Sequence, residues 1–243
     1  MNNKIEEFIA IMNESKNAVF FGGAGVSTES GVPDFRSADG LYYQKWNYPP
    51  EEILSHTFFY SKTKEFYKFY IEKLLPLNIQ PNITHFKLAE LEQKGILKAV
   101  ITQNIDGLHQ KAGSKIVYEL HGSTLRNYCT KCNSFYSEEK IRQSKNTTER
   151  IPLCDKCGGL IKPDVVLYEE PLDSSIMTNA INSIRNADTL IIGGTSLSVY
   201  PASGLIDYFE GKNLILINKT PTNQDHYANL VINDSLGKVF SSL

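Results

Sequence analysis

Cys129-x-x-Cys132 and Cys154-x-x-Cys157 form two C-x-x-C hooks separated by 21 residues, and together they use all four cysteines of the chain. Two hooks at that distance make a tetrahedral thiolate site for zinc. Four protein ligands leave the metal no open position, so the site is structural. Two disulfides or a thiol-redox pair are the rival readings. A redox C-x-x-C normally opens a helix in a βαβ unit, and these hooks lie among short segments instead.

The remaining candidates for chemistry are polar residues that follow apolar runs. His121 comes directly after Ile116–Leu120 and before Gly122. Imidazole titrates near neutral pH and can take a proton in a cleft. A lone histidine is more often structural. The neighbouring Gln103-Asn104-Ile105-Asp106 segment favours the catalytic reading, because it too follows a strand, where α/β sheets bind ligands. Asp106 alone could be a helix cap. His56, His85, His109 and His226 have no such support.

Two glycine turns suggest an anionic ligand. Phe20 to Arg36 reads FFGGAGVSTESGVPDFR, an apolar strand, then Gly22, Gly23 and Gly25, then a small polar segment able to start a helix. Glycines let backbone approach a ligand closely, and free N–H groups at a helix N-terminus attract phosphate. The dinucleotide pattern G-x-G-x-x-G is incomplete, with Thr28 at the third glycine. No acid ends a following strand about 20 residues on. This is a nucleotide loop, but not that of an ordinary dehydrogenase. Arg36 could pair with phosphate or carboxylate, or lie on the surface. Gly193-Gly194-Thr195-Ser196 repeats the strand-to-glycine turn. Thr195 and Ser196 suit a phosphate or ribose, or merely end a strand, and Asn218 suits a ribose diol or caps a turn.

These residues need a scaffold of alternating strands and helices. Strands are expected at 18–22, 97–102, 116–120, 165–168, 188–193, 213–217 and 230–232. Helices are expected at 3–15, 84–94 (Phe86, Leu88 and Leu91 inward), 173–185, 201–210 and 235–243. The alternation predicts an α/β fold with a parallel, Rossmann-like sheet. Its domain would take residues 1–36, 82–121 and 161–243. A helical, aromatic-rich module (37–81) and a zinc module (122–160) would form a smaller inserted domain across a cleft. Some of the module's aromatics could line an apolar channel.

A chain of 243 residues, 41% hydrophobic, can bury a sizeable core. A formal net charge of −2 marks no nucleic-acid binder. No apolar run reads as a membrane span, and residues 1–16 lack the apolar core of a signal peptide. A cytoplasmic, reducing location follows as the expectation, which disfavours structural disulfides.

Taken together, the motifs resemble the sirtuin family of NAD-dependent protein lysine deacylases, in its compact bacterial form. The resemblance covers nearly the whole chain. In order, it is carried by Gly23-Ala24-Gly25-Val26-Ser27 with Gly31 to Arg36, then Thr102 to Asp106 with Leu108-His109, then His121-Gly122. The cysteine hooks, Lys162-Pro163-Asp164-Val165-Val166, and Gly194-Thr195-Ser196-Leu197 through Pro201-Ala202 complete it.

The resemblance implies that NAD is consumed as a co-substrate. The acyl oxygen of an acetyl-lysine attacks the ribose carbon as nicotinamide leaves. His121 is then general base on the ribose hydroxyls, a hydroxyl attacks the intermediate, and water releases lysine and O-acetyl-ADP-ribose. Asn104 and Asp106 complete the catalytic set. The implied NAD contacts are Ala24, Thr28, Phe35, Arg36, Gln103, Ile105, Asp106, His121, Gly194, Thr195, Ser196, Asn218 and Asp234. Val166 contacts the acyl-lysine. The peptide is expected as a strand between segments near 167–170 and 197–200, and the implied partners are acetylated proteins or peptides acted on by a monomer. Mono-ADP-ribosyl transfer, removal of longer acyl chains, and a non-catalytic NAD-sensing module are the alternatives.

Three positions depart from the family pattern. Gly22 replaces a threonine. Tyr168-Glu169-Glu170 stands where Phe-Gly-Glu is usual, which adds a side chain and a charge beside the peptide and favours basic substrates. Tyr67-x-x-Tyr70 stands where members that prefer acidic acyl groups carry Tyr-x-x-Arg, so acetyl is expected over succinyl.

Overall fold

The computed structural model describes residues 3–34, 40, 46–75 and 78–243. Helix α1 (Asn3–Glu14) precedes strand β1 (Ala18–Gly22). The module that follows holds α2 (Pro50–Ile53), α3 (His56–Ser61) and α4 (Thr63–Phe69), with a π-turn at Tyr70–Leu74. Then come α5 (Ile83–Gln93), β2 (Leu97–Thr102), α6 (Leu108–Ala112), β3 (Val117–Glu119), β4 (Gly122–Cys129), β5 (Phe135–Ser137) and α7 (Glu138–Ser144). The chain closes with β6 (Ile161–Val165), α8 (Ser174–Arg185), β7 (Thr189–Gly193), β8 (Asn213–Ile217), β9 (Leu230–Ile232) and α9 (Leu236–Phe240).

Six strands form one parallel sheet in the order β3-β2-β1-β7-β8-β9. The central strands β1 and β7 are buried along their whole length, as a sheet covered on both faces requires. One face packs Phe8, Met12, Phe20, Leu88, Ile191, Ile215 and Phe240. The other packs Val19, Phe21, Ile101, Ala180, Ile184, Leu190 and Ile192. Strand order reverses between β1 and β7. That switch point opens a crevice at the strands' C-terminal ends, where α/β sheets bind ligands.

The two insertions share one core. Phe58, Phe59, Phe66, Tyr67, Phe69 and Tyr70 of the helical module pack with Ile141, Cys129, Cys154, Ile161 and Leu167. These six aromatics fill a core, Trp46 and Tyr48 pack against it, and Tyr60 is half exposed, so none of the module's described aromatics lines the cleft; Tyr42 and Tyr43 lie outside the described residues. Strands β5-β4-β6 form a small antiparallel sheet.

Several expectations need correction. The segment after the first glycine turn is not an α-helix but two 3₁₀ turns, Ala24–Val26 and Thr28–Ser30, with Gly31 left-handed at φ +82°. A 3₁₀ turn also replaces the helix expected at 201–210. The strand expected at 165–168 lies at Ile161–Val165 and pairs with β4, so it belongs to the small sheet rather than the Rossmann-like one. On α5 Leu88 and Leu91 are buried but Phe86 is half exposed. Its neighbours Thr84 and His85 take the inward positions, because Asn82 caps the helix and draws His85 Nδ1 back to its own N–H.

Candidate active site

The switch-point crevice is a cleft of about 1530 Å³. Pockets for single drug-sized ligands are usually about 300–1,000 Å³, so this cleft is large for one small molecule. Its walls come from Ala24, Gly25, Ser27, Thr28, Gln103–Asp106, His121, Val165–Glu170, Gly194–Ser196, Asn218 and Asp234. The sheet supplies one wall and the small domain the other.

The two glycine turns interlock on the sheet side. Gly23 N–H donates to Gly193 O at 3.2 Å, and Gly25 N–H to Gly194 O at 2.8 Å. A Cβ on Gly25 would lie 2.7 Å from Gly194 Cα, and one on Gly194, already at φ +62°, 2.5 Å from Val26 N. These glycines thus let two loops touch each other. The Gly23 and Gly25 N–H groups are committed to carbonyls and so are not among those left for phosphate. The ledge they build carries Ala24, Thr195 and Ser196 into the cleft.

Ser27 joins the first turn to the segment after β2. Its hydroxyl donates to Asp106 Oδ2 at 2.7 Å and accepts from Asn104 Nδ2 at 3.1 Å. Asp106 Oδ1 accepts the Leu108 N–H at 2.9 Å. Burial pushes the Asp106 carboxyl above the ordinary carboxylate range, against the pull of those two donors. Ser27 was quoted only as the last residue of a motif; nothing in its type or spacing marks it as the group that orients both polar residues.

His121 follows β3, and its Nδ1 lies 2.9 Å from the carbonyl oxygen of Gln103. A carbonyl only accepts, so Nδ1 carries the proton and Nε2 has the lone pair. Burial lowers its pKa, opposed by the hydrogen bond to Gln103, which keeps the imidazole neutral near pH 7. Gln103 Nε2 is buried in the cleft wall and has no partner among the described residues, a donor suited to a ligand.

The structure brings most of the other sequence candidates to the same cleft. Thr28 Oγ1 donates back to Gly25 O at 3.0 Å, and Ile105 O accepts the Thr124 N–H at 2.9 Å. Val166 N–H donates to His121 O, so the acyl-lysine candidate lies beside the base. Asn218 has a further task. Its amide accepts from Thr195 N–H and donates to Thr195 O, both at 3.1 Å, so it clamps the second glycine turn. Asp234 accepts from Ser235 N–H at 2.8 Å and from Lys238 Nζ, an exposed pair that holds its pKa low. Phe35 and Arg36 lie outside the described residues. Tyr67 and Tyr70 are fully buried, and Tyr67 donates its hydroxyl to the Ile161 carbonyl rather than facing the cleft.

The cysteines converge on one point. All four Sγ atoms lie within 4.8 Å of one another, with Cys129–Cys157 and Cys132–Cys157 at 3.4 Å and Cys132–Cys154 at 3.6 Å. Four sulfurs at about 2.3 Å from a central zinc stand about 3.8 Å apart, so the set fits zinc, and the thiols are free rather than disulfide-bonded. Outer groups support it: Tyr136 O–H donates to Cys154 Sγ at 3.2 Å, and Lys131 N–H to Cys129 Sγ at 3.4 Å.

Comparison with known proteins points one way. The Sir2 family model matches residues 23–201. The chain is 59% identical to the NAD-dependent protein deacetylase of Clostridium perfringens, covering 100% of this chain and 99% of that one. Identity to the NAD-dependent protein deacetylase of Clostridium acetobutylicum is 58%, over 99% and 98% of the two chains. Among solved structures, a Sir2 variant with a deacetylated p53 peptide and 3'-O-acetyl ADP ribose superposes with a TM-score of 0.91 at 39% identity, covering 98% of this chain and 96% of that one. A Sir2 complex with a p53 peptide and NAD+ gives 0.87 at 40% identity over the same shares.

Proposed function

The chain belongs to the Sir2 family, and from that premise we infer that it is an NAD-dependent protein deacetylase. It removes acetyl groups from lysine side chains and releases nicotinamide and O-acetyl-ADP-ribose. The observation that carries this reading is the neutral imidazole of His121, with its proton fixed on Nδ1, in one cleft with Asn104 and Asp106.

NAD supplies a ribose carbon bearing a cationic leaving group. Asp106, steered by Ser27, and Asn104 hold the nicotinamide and its ribose. The Gln103 amide donor adds a hydrogen bond there, and Ala24 and Ile105 line that end, with Thr28 toward the phosphates; Phe35 and Arg36, outside the described residues, are assigned to NAD by the family pattern alone. Gly194, Thr195 and Ser196 hold the phosphates, with Asn218 and Asp234 toward the adenosine. Val166 guides the acyl-lysine to the ribose. His121 Nε2 takes a proton from a ribose hydroxyl, within the useful range of a depressed imidazole pKa. Cys129, Cys132, Cys154 and Cys157 would hold one zinc beside the small sheet, and with four protein ligands it would take no part in the chemistry.

The cleft takes acetylated peptides or proteins as a monomer, since one chain supplies every group named. Among the described residues no helix is long and apolar enough to cross a membrane. A reducing cytoplasm suits four thiolates held for zinc. Tyr67 and Tyr70 are fully buried, do not line the cleft and carry no positive charge, so neither neutralises an acidic acyl group, and acetyl is preferred over succinyl. Incubation of matched acetyl and succinyl peptides with and without NAD tests this. NAD-dependent acetyl release is expected to be much the faster; equal rates refute the acyl preference, and acetyl release without NAD refutes the reaction.

A further inference from the structure

The segment after β6 lines the cleft from His121 onward. Val166 is tied to His121, and the chain then runs outward through Leu167, Tyr168 and Glu169, all of which line the cleft. A lysine side chain that reaches His121 leaves its backbone near the outer end of this segment. Glu169, Val199 and Tyr200 all line the cleft, within reach of the residues that neighbour such a lysine.

Glu169 is built to present a charge there. Its φ is +76°, a left-handed conformation that suits glycine, the residue usual at this point of the pattern. The side chain compensates by docking on the start of α3. Glu169 Oε2 accepts from Thr57 N–H at 2.9 Å and from Thr57 Oγ1 at 2.8 Å. Among the described residues no hydrogen bond reaches Oε1. Thr57 brings no charge, so the carboxylate is oriented without being neutralised, and the two bonds keep its pKa low.

The adjacent acid behaves differently. Glu170 meets Lys162 Nζ at 2.9 Å, the Leu167 N–H at 2.9 Å and His56 Nδ1 at 2.8 Å, so its charge is matched. The facing segment, Ser196 to Tyr200, carries no ionisable group except the Tyr200 phenol. Among the described residues Glu169 therefore has no ion-pair partner, its nearest charge being His56 when protonated, which is already bonded to Glu170.

We propose that Glu169 forms a subsite for a basic side chain, Lys or Arg, within two residues of the acetyl-lysine of a peptide substrate. This rests on the deacetylase reading of the cleft. An exposed pair of this kind is worth about threefold to fivefold in affinity and weakens with salt. The test uses the full zinc-loaded chain and acetyl-lysine peptides that carry Arg or its neutral isostere citrulline at each position from −2 to +2. Binding is read by fluorescence anisotropy and turnover by NAD-dependent deacetylation. At one position the wild type binds the Arg peptide about threefold to fivefold tighter, and Glu169→Gln brings the ratio close to one. Glu169→Gly, which removes the left-handed side chain altogether, does the same. No discrimination in the wild type, or discrimination unchanged in Glu169→Gln, overturns the subsite. Discrimination in binding without NAD-dependent turnover upholds the subsite and refutes the deacetylase reading. Turnover without discrimination does the reverse.

Discussion

Ser27→Ala isolates the hydrogen bond that organises the cleft. Ser27 is 1% exposed, so no solvent replaces its hydroxyl. The substitution removes the donor to Asp106 Oδ2 and the acceptor for Asn104 Nδ2 while keeping the backbone of the turn. A hydrogen bond to a charged group contributes about 1.5–3 kcal/mol. The expected loss of stability at neutral pH is therefore about 2 kcal/mol. If the same interaction orients Asp106 and Asn104 in the transition state, kcat/KM for NAD falls by about thirtyfold. The effect also has a signed pH dependence. The folded pKa of Asp106 lies above its unfolded value of 3.8, so its favourable contribution is full below that value and is lost as pH rises through the folded pKa. Removing the Ser27 donor raises the folded pKa further. The penalty in Ser27→Ala is thus smallest near pH 4 and grows until the carboxyl is ionised. Urea unfolding at several pH values, wild type against variant, reads it directly. A loss below about 0.5 kcal/mol that is the same at acid and neutral pH would refute the assignment of this bond to an ionised Asp106.

Other outcomes follow from the same geometry. The folded pKa of His121 lies below 6.5, so the acid limb of the kcat/KM profile has its midpoint below pH 6.5. Its contribution to stability is full above that unfolded value and is lost as pH falls toward the folded one. An acid limb above pH 6.5 would contradict the burial argument. Gly194→Ala drives a Cβ to 2.5 Å from Val26 N at φ +62°, and calorimetry should show a loss of more than about 2 kcal/mol together with weakened NAD binding. Metal analysis should find one zinc per chain, and chelation should destabilise the small domain; protein as stable without zinc as with it would remove the structural role.

Legibility varied with how locally each feature is encoded. The parallel sheet could be read because β1, β2, β7 and β8 are short apolar runs that end in glycine or polar residues. The cysteine set could be read because its ligands come in two hooks. The glycine turns were located correctly, but their partners were not. Gly23 and Gly25 pack against Gly193 and Gly194, about 170 residues away in sequence, and no local pattern encodes that contact. Ser27 escaped for the same reason: its partners Asn104 and Asp106 arrive from β2. Strand β6 was misplaced because Ile161–Val165 contains Lys162, Pro163 and Asp164, which suit an edge strand and break the apolar run. His85 and His109, given no role, are buried with ring centroids 4.7 Å apart, and burial depresses both pKa values, that of His85 to about 4.

The central claim is that His121 is the base for a reaction confined to this cleft. The direct measurement is O-acetyl-ADP-ribose formation from an acetyl-lysine peptide and NAD by His121→Ala, with zinc content and unfolding measured on the same preparation. The account predicts loss of most product formation with one zinc retained and a folded protein. Product formed at the wild-type rate by that variant would contradict it.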